Sequence, residues 1–462
     1  MTAREIVIVL SEDYQPDLTG NQLFAATSLS QAGGALNVEL RPVFDLPPAE
    51  PGAAVVFHRA HRTAMRRFFR AVVDDAELPR VLERIRAMPG VSAAYAPPPV
   101  ERPLTPFRER LANAAPRIAR AKGHNRIPSF AEWQHYHFEA PAGVDSAAAW
   151  AVAGGRGAGV EIIDIEGGWC LTHRDLHGNR GLRGGQASTD RAERNHGTAV
   201  LGIIGGQENG FGVTGLAPAA RFGAYSDFPD GPAGAIQRAA DLLQSGDVLI
   251  LEMHRPGPRH NFEPQEDQGG YIAVEWWPLE YAAIRYAASK GIIVVEAAGN
   301  GGEDLDDPLY TSPAPDFPGD WVNPFGGDAD SGAIIVGAGA PPSGDLGPDR
   351  SRMNFSNYGS RIDCQGCGDQ VTTMGYGDLY RGNGETEFYT YSFGGTSAAS
   401  PIVAGAIACL QGAARARGAA LDPTTVRRLL RETGSPQQAG PSAPVSQRIG
   451  TRPDLIALLA NL

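Results

Sequence analysis

The sequence predicts an α/β protein in which a parallel sheet carries helices on both faces, preceded by a small α+β unit. Three observations lead there. From about residue 129 onward, apolar runs that read as buried strands alternate with stretches of helical periodicity. Such alternation builds a parallel sheet covered on both sides. Before about residue 105 the pattern differs, with strand-like runs around a single amphipathic helix. The chain also has 462 residues, 42% of them apolar and 20% charged, enough for about two to three domains with sizeable cores.

In the first unit, residues 1–105, "EIVIVL" reads as a strand and "RRFFRAVVDDA" as a second one ending in acids. "ELPRVLERIRAM" places Leu78, Val81, Leu82 and Ile85 at helical spacing. Pro89-Gly90 stops that helix, and "VSAAYAP" closes the unit as a strand. Residues 106–128 read as a basic, exposed connector. Seven Lys or Arg residues fall between Arg102 and Arg126, and the only acids of 101–128 are Glu101 and Glu109. In the main unit, residues 129–462, "GVEIIDIEGG" is a buried strand entering a turn. "HGTAVLGIIGG" is a short apolar helix, "DVLILEM" a strand and "PLEYAAIRYAASK" a helix. "GIIVVEAAGN" and "GAIIVGAG" are further strands, and "YSFGGTSAASPIVAGAIACL" is a turn entering a buried helix.

Composition excludes several function classes. A net charge of −12 argues against nucleic acid as a partner. No run approaches the ~18 apolar residues that span a bilayer, so no membrane partner is expected. The N-terminal apolar stretch is only Ile6 to Leu10, with Glu12 and Asp13 close behind, which is no signal peptide. Four cysteines suggest no disulfide framework, and together these features point to the cytoplasm. Cys364 and Cys367 have the spacing of half a zinc site, but Cys170 and Cys409 are isolated, so a structural role is expected and no metal is assigned.

Four residues stand where chemistry is expected. Asp164 lies in "VEIIDIEGG", His196 in "HGTAVLG", Asn300 in "VVEAAGN" and Ser397 in "GGTSAASP". Singly, each has a plain reading: a turn cap, a core histidine, a left-handed turn residue and a helix N-cap. Jointly they give an acid, a histidine and a serine in the chain order known for one class of serine protease. A serine hydroxyl needs an adjacent base to act as a nucleophile. Helix N-termini supply N–H donors for a developing anion.

With the stretches "GVEIIDIEGGWCLTHRDL", "NHGTAVLGIIGG", "GVTGLAPAARF", "GIIVVEAAGNGG", "MNFSNYG" and "GGTSAASPIVAG" in that order, the chain resembles the subtilisin-like serine proteases, the subtilases, from about residue 129 to 462. The resemblance implies a subtilisin-like sheet and a serine endopeptidase acting on proteins or peptides. Ser397 would be the nucleophile, His196 the base, Asp164 the acid and Asn300 an oxyanion donor. No cofactor would be required. Many subtilases need Ca²⁺, for which the loop acids Asp304, Asp306 and Asp307 are candidates beside their plain reading as solvated residues. His173 matches a position with no catalytic role. The family usually follows the acid with a small residue and glycine, whereas Glu166 stands here. That residue suggests the Ser-Glu-Asp set of sedolisins, although the intact "HGT" argues against them.

The first hundred residues resemble the subtilase propeptide, a ferredoxin-like inhibitor and folding aid, whose last strand would bring "YAPPPVERP" to the catalytic residues. The family's walls of the pocket for the residue before the cut correspond to Glu252, Glu296 and Gly299. Two carboxylates there would favour a cationic side chain in that pocket. The alternative is that Glu252 pairs with His254 or Arg255 and Glu296 points elsewhere. Two other functions stay open at this level: a catalytically silent peptide-binding module on the same fold, and an esterase or amidase of small molecules.

Overall fold

The computed structural model describes residues 3–12, 40–46, 62–103 and 127–462. The first three stretches form a four-stranded antiparallel sheet of β1 (Ala3–Leu10), β2 (Arg41–Pro42), β3 (Phe68–Asp74) and β4 (Val91–Tyr95), in the order β2-β3-β1-β4. Side chains alternate between faces along β1. Ile6, Ile8 and Leu10 pack on Val81 and Ile85 of helix α1 (Leu78–Arg86). Val7 and Val9 face the other way and join the core of the main body, together with Phe68 and Tyr95. Nearly all of the expected basic connector, up to residue 126, lies outside the described residues.

The main body follows in chain order. It contains α2 (Ser146–Trp150), β5 (Glu161–Glu166), β6 (Leu182–Gly184), α3 (Arg191–Gly205), β7 (Arg221–Ser226), α4 (Gly231–Leu242) and β8 (Val248–Leu251). A small antiparallel pair comes next, β9 (His254–Pro256) and β10 (Tyr271–Ala273), then α5 (Pro278–Ser289), β11 (Ile293–Ala297), β12 (Ile334–Gly339) and β13 (Cys364–Cys367). The hairpin of β14 (Val371–Met374) and β15 (Tyr389–Phe393) leads into α6 (Thr396–Ala416), followed by α7 (Pro423–Glu432) and α8 (Leu455–Leu459).

Seven strands form one parallel sheet in the order β13-β12-β11-β8-β5-β7-β6. β5 is flanked by β7 and by β8, so the winding direction reverses at it. Crevices for ligands open beyond the carboxyl ends of strands at such a switch point, and here that end is Glu166.

Alternation sorts the strand residues onto two faces. Ile162, Val248, Ile250, Ile293, Val295, Ile334 and Val336 share one core with residues of α3 and α6. Ile163, Ile165, Leu249, Leu251, Val294 and Ile335 share the other with residues of α4 and α5. The 21-residue α6 has the length and apolarity of a membrane-crossing helix, contrary to the expectation that no stretch reaches that range, and its residues from Thr396 to Ala414 are buried inside the protein. α3 begins earlier than its apolar run suggests. Asp190 caps it, accepting from the N–H groups of Ala192 and Glu193, so His196 sits inside the helix and not at its start.

The far face holds a buried ion cluster. Arg361 donates to both carboxylate oxygens of Glu275, at 2.7 Å each, and to Asp363 at 3.0 Å. Glu296 of β11 accepts the backbone N–H of Glu275 at 3.0 Å. Removing the cation would strand buried carboxylates, a loss of about 3–5 kcal/mol. Arg361→Leu is therefore expected to lower unfolding free energy by about that amount in chemical denaturation, with Glu275→Gln in the same background recovering part of it.

Candidate active site

β5 ends with two acids on one face. Asp164 and Glu166 share the alternation of Ile162 and point toward α3 and α6. α3 presents His196 and α6 presents Ser397 as its second residue. Ser397 does not cap its helix. The cap position is Gly395, which has no side chain to offer and holds φ +97°. Any side chain at residue 395 would be strained, because a left-handed φ disfavours a Cβ.

The histidine meets Glu166. His196 Nδ1 lies 2.6 Å from Glu166 Oε2, with both side chains fully buried. Asp164, the acid expected from the sequence, does not touch the imidazole. Its Oδ2 accepts the indole N–H of Trp169 at 2.7 Å. Both acids lie on the same face of β5. Glu166, at the mouth of the strand and with the longer side chain, is the one that reaches Nδ1.

Asn300 lies just beyond β11, after Gly299. Its Oδ1 accepts from the backbone N–H and the hydroxyl of Thr396, each at 3.0 Å, which turns Nδ2 toward the cleft, where it donates to Gln268 Oε1 at 3.1 Å. Gly299 holds φ +96°, and a methyl there would stand 2.7 Å from Asn357 Nδ2. Its N–H reaches Thr396 Oγ1 at 3.3 Å.

The two expected pocket carboxylates separate. Glu252 continues the alternation of Val248 and Ile250 toward α6, where its Oε1 accepts the Ser400 hydroxyl at 2.6 Å. It pairs with neither His254 nor Arg255. His254 Nδ1 accepts the Asn300 N–H at 3.2 Å, and Arg255 bonds Glu280 at 2.5 Å. Glu296 shares the alternation of Val294 and lies on the opposite side of the sheet, in the cluster of Arg361. It cannot wall a pocket beside Ser397.

Buried polar atoms of this region that make no geometrically regular hydrogen bond among the described residues include Ser397 Oγ, His196 Nε2, Glu166 Oε1, Asp164 Oδ1 and Glu252 Oε2, together with Arg102 Nη1 and His254 Nε2, and the Ser397 hydroxyl lies close enough to Glu252 to favour its charged form. Buried polar groups are normally paired, so a concentration of free ones marks a place built for reaction. The ring of His196 lies edge-on to Phe393, 5.5 Å between centroids, which holds the imidazole at the mouth of α6.

The cleft is occupied by the chain itself. Glu101 exchanges backbone hydrogen bonds with His254, at 3.0 and 3.1 Å. The Arg102 carbonyl accepts from Gln268 Nε2 at 2.9 Å. The Pro103 carbonyl oxygen lies against Gly395, only 2.0 Å from where a Cβ would be. Arg102 donates to Asp227 at 2.9 Å and to Glu193 at 3.2 Å. Arg102, Glu193, Asp227 and Gln268 were not singled out from the sequence as site residues. They come from four distant segments, and no local motif joins them.

Burial dominates the electrostatics. Asp164 is pushed up to about 7 by burial, offset by the Trp169 hydrogen bond and by Arg102. Glu166 is pushed well up by burial and by Asp164, with Arg102 opposing. Like charges this close disfavour joint ionisation. His196 is held well below its ordinary value by burial and by the Arg102 cation, which keeps the imidazole neutral. Glu252 is pushed well up by burial, with the Ser400 hydroxyl opposing.

Other expected groups lie elsewhere. His173 Nε2 faces the Phe388 carbonyl at 3.0 Å and its ring packs on Tyr389. Cys364 and Cys367 are buried free thiols at the two ends of β13. The candidate calcium acids are engaged locally: Asp304 accepts the Asp306 N–H, Asp306 binds the backbone N–H and hydroxyl of Ser360, and Asp307 binds Arg259 and the Leu309 N–H. Among the described residues no group of three or more His, Cys, Asp or Glu is arranged to hold a metal.

Residues 177–450 match the Subtilase family, peptidase S8. Subtilisin BL of Lederbergia lenta is 28% identical over 262 residues, covering 55% of this chain and 77% of that protein. The intracellular serine protease of Paenibacillus polymyxa is 29% identical over 303 residues, covering 60% and 74% respectively. The crystal structure of fervidolysin from Fervidobacterium pennivorans, a keratinolytic enzyme related to subtilisin, superimposes with a TM-score of 0.59 at 18% identity. It covers 99% of this chain and 61% of that one, a likeness of fold. With the parallel sheet, the serine at the mouth of the buried helix and a family match over more than half its length, the chain belongs to the subtilases and is a serine endopeptidase.

Proposed function

We propose that this protein cleaves peptide bonds with Ser397 as nucleophile, His196 as general base and Glu166 as the acid that orients the histidine. The observation that carries this reading is the buried 2.6 Å bond between His196 Nδ1 and Glu166 Oε2, which leaves Nε2 free for the serine. As Ser397 Oγ attacks the carbonyl carbon, its proton passes to His196 Nε2, and Glu166 stabilises the imidazolium. The carbonyl oxygen becomes an anion at the N-terminus of α6, facing the Ser397 N–H and Asn300 Nδ2. Collapse expels the amine, which takes the proton from Nε2, and leaves an acyl-serine. Water then repeats the cycle from the other side.

The role expected for Asp164 passes to Glu166 in this reading, and Asp164 becomes a neighbour held by Trp169. The N-terminal unit acts as an attached inhibitor of propeptide type. Its outgoing segment fills the cleft in extended form, held through Glu101 and Arg102, and the chain becomes active when that segment is cut or displaced.

Labelling by a fluorophosphonate, which requires an activated serine, is expected for the displaced form and not for Ser397→Ala. Absence of labelling in every form would favour the silent peptide-binding module. Glu166→Gln is expected to lower kcat by about 10⁴-fold through the wrong imidazole tautomer. Asp164→Asn, whose amide oxygen can still accept from Trp169, is expected to change kcat less than about tenfold. The reverse ranking in steady-state kinetics would return the role to Asp164.

Asn300→Ala is expected to lower kcat by about 10²–10³ with little change in KM, the loss of one oxyanion donor.

Asp164 also predicts a pH dependence of stability. Its folded pKa, about 7, lies above the ordinary carboxyl value, so the folded state binds this proton more tightly than the unfolded one. Its burial penalty is absent below the unfolded value, about 4, grows between there and about 7, and stays constant above. Unfolding free energy of Asp164→Asn measured against pH should lack that decline, and the variant should gain on the parent as pH rises from 4 to 7.

A further inference from the structure

We infer that the enzyme selects substrates with an arginine as the second residue before the cut, through a pocket made by Glu193, Asp227 and Gly167. This rests on the protease reading above and names its substrate class. Arg102 shows the pocket occupied. Its backbone neighbour Glu101 pairs in antiparallel fashion with His254, and the carbonyl of the next residue, Pro103, reaches Gly395 beside the nucleophile. Pro103 thus holds the place of the residue whose carbonyl is attacked, and Arg102 the place before it.

The pocket is shaped for a guanidinium. Nη2 donates to Asp227 Oδ2 at 2.9 Å and Nε to Glu193 Oε2 at 3.2 Å, so two acids from different elements grip two edges of one planar fork. Gly167 forms the floor. A methyl group there would stand 1.9 Å from Glu193 Oε2 and 3.1 Å from Arg102 Nη2, so the absence of a side chain is what lets the cation settle beside the end of β5. Arg102 is buried, whereas the Glu193 carboxylate is about one-third exposed, which leaves the pocket open on its outer side. Lysine offers a point charge that cannot satisfy both acids in this way, and a neutral side chain would leave Asp227 facing an apolar stem.

The sequence placed a cationic preference at Glu252 and Glu296. The structure moves it one residue along the substrate and to different acids.

The test is cleavage of a randomised, internally quenched peptide library by the full chain carrying Arg102→Gln, which weakens the hold of the cleft segment, with cut sites read by mass spectrometry. Arginine should dominate the second position before the cut, and replacing it by glutamine in a single peptide should lower kcat/KM by about 10–100-fold, the loss of charge-assisted hydrogen bonds. Asp227→Asn with Glu193→Gln should collapse the arginine-to-glutamine ratio toward one, a readout that general damage to the fold would not move. In a second arm, Arg102→Gln in the full chain should speed fluorophosphonate labelling by a similar factor, and Arg102→Lys by less. Hydrolysis with no arginine enrichment at that position, or an unchanged ratio in the double variant, overturns the inference and leaves the protease reading intact. No hydrolysis and no labelling by any form overturns the protease reading itself, and the inference with it.

Discussion

In a strand buried on both faces, every second side chain meets the same neighbours, and this rule places the chemistry of the protein. Ile162, Asp164 and Glu166 look toward α3 and α6 because they alternate together, and Val248, Ile250 and Glu252 do the same one strand away. Glu296 falls on the other alternation and is lost to the site. The helices supply the histidine and the serine, but where their side chains find a carboxylate is decided by the sheet. Moving β5 by a single residue relative to its neighbours would turn both acids into the opposite core.

Gathering three carboxyls in a dry cleft is costly, and the molecule answers it locally. Trp169 donates to Asp164, Ser400 to Glu252, and the His196 ring bonds Glu166. The Arg102 cation lowers the burden on Asp164 and Glu166 while holding the imidazole neutral. The segment that fills the cleft is therefore more than a plug. It carries the charge that balances the acids around it, so the occupied cleft is electrostatically more comfortable than the empty one.

Most of the fold was legible because its strands are runs of Ile, Val and Leu and its core helices are rich in Ala and Gly. Of the proposed site, the candidates Ser397, His196 and Asn300 could be read because each sits in a short motif of its own. The carboxylate that meets His196 could not, because "IIDIEGG" offers two carboxylates on one face and only the position of the imidazole chooses between them. The start of α3 was hidden by its polar first turn, "RAERN", which follows no apolar period. The grip on Arg102 was beyond reach, since Gly167, Glu193 and Asp227 acquire a common meaning only when β5, α3 and the end of β7 converge. Alternation alone would have excluded Glu296: Val294 and Val295 precede it, and assigning either one to α6 fixes the face of the other.

Ser397 rides on α6, a helix buried from Thr396 to Ala414. Nucleophilic power is thereby tied to completion of the fold. A nascent chain of 395 residues lacks the helix altogether, and a full-length chain whose sheet has not closed on α6 has its serine in water, away from His196 and Asn300. The ribosome delivers β5, α3 and β11 before the helix that arms them. The helix that carries the proposed nucleophile thus emerges after every strand of the parallel sheet.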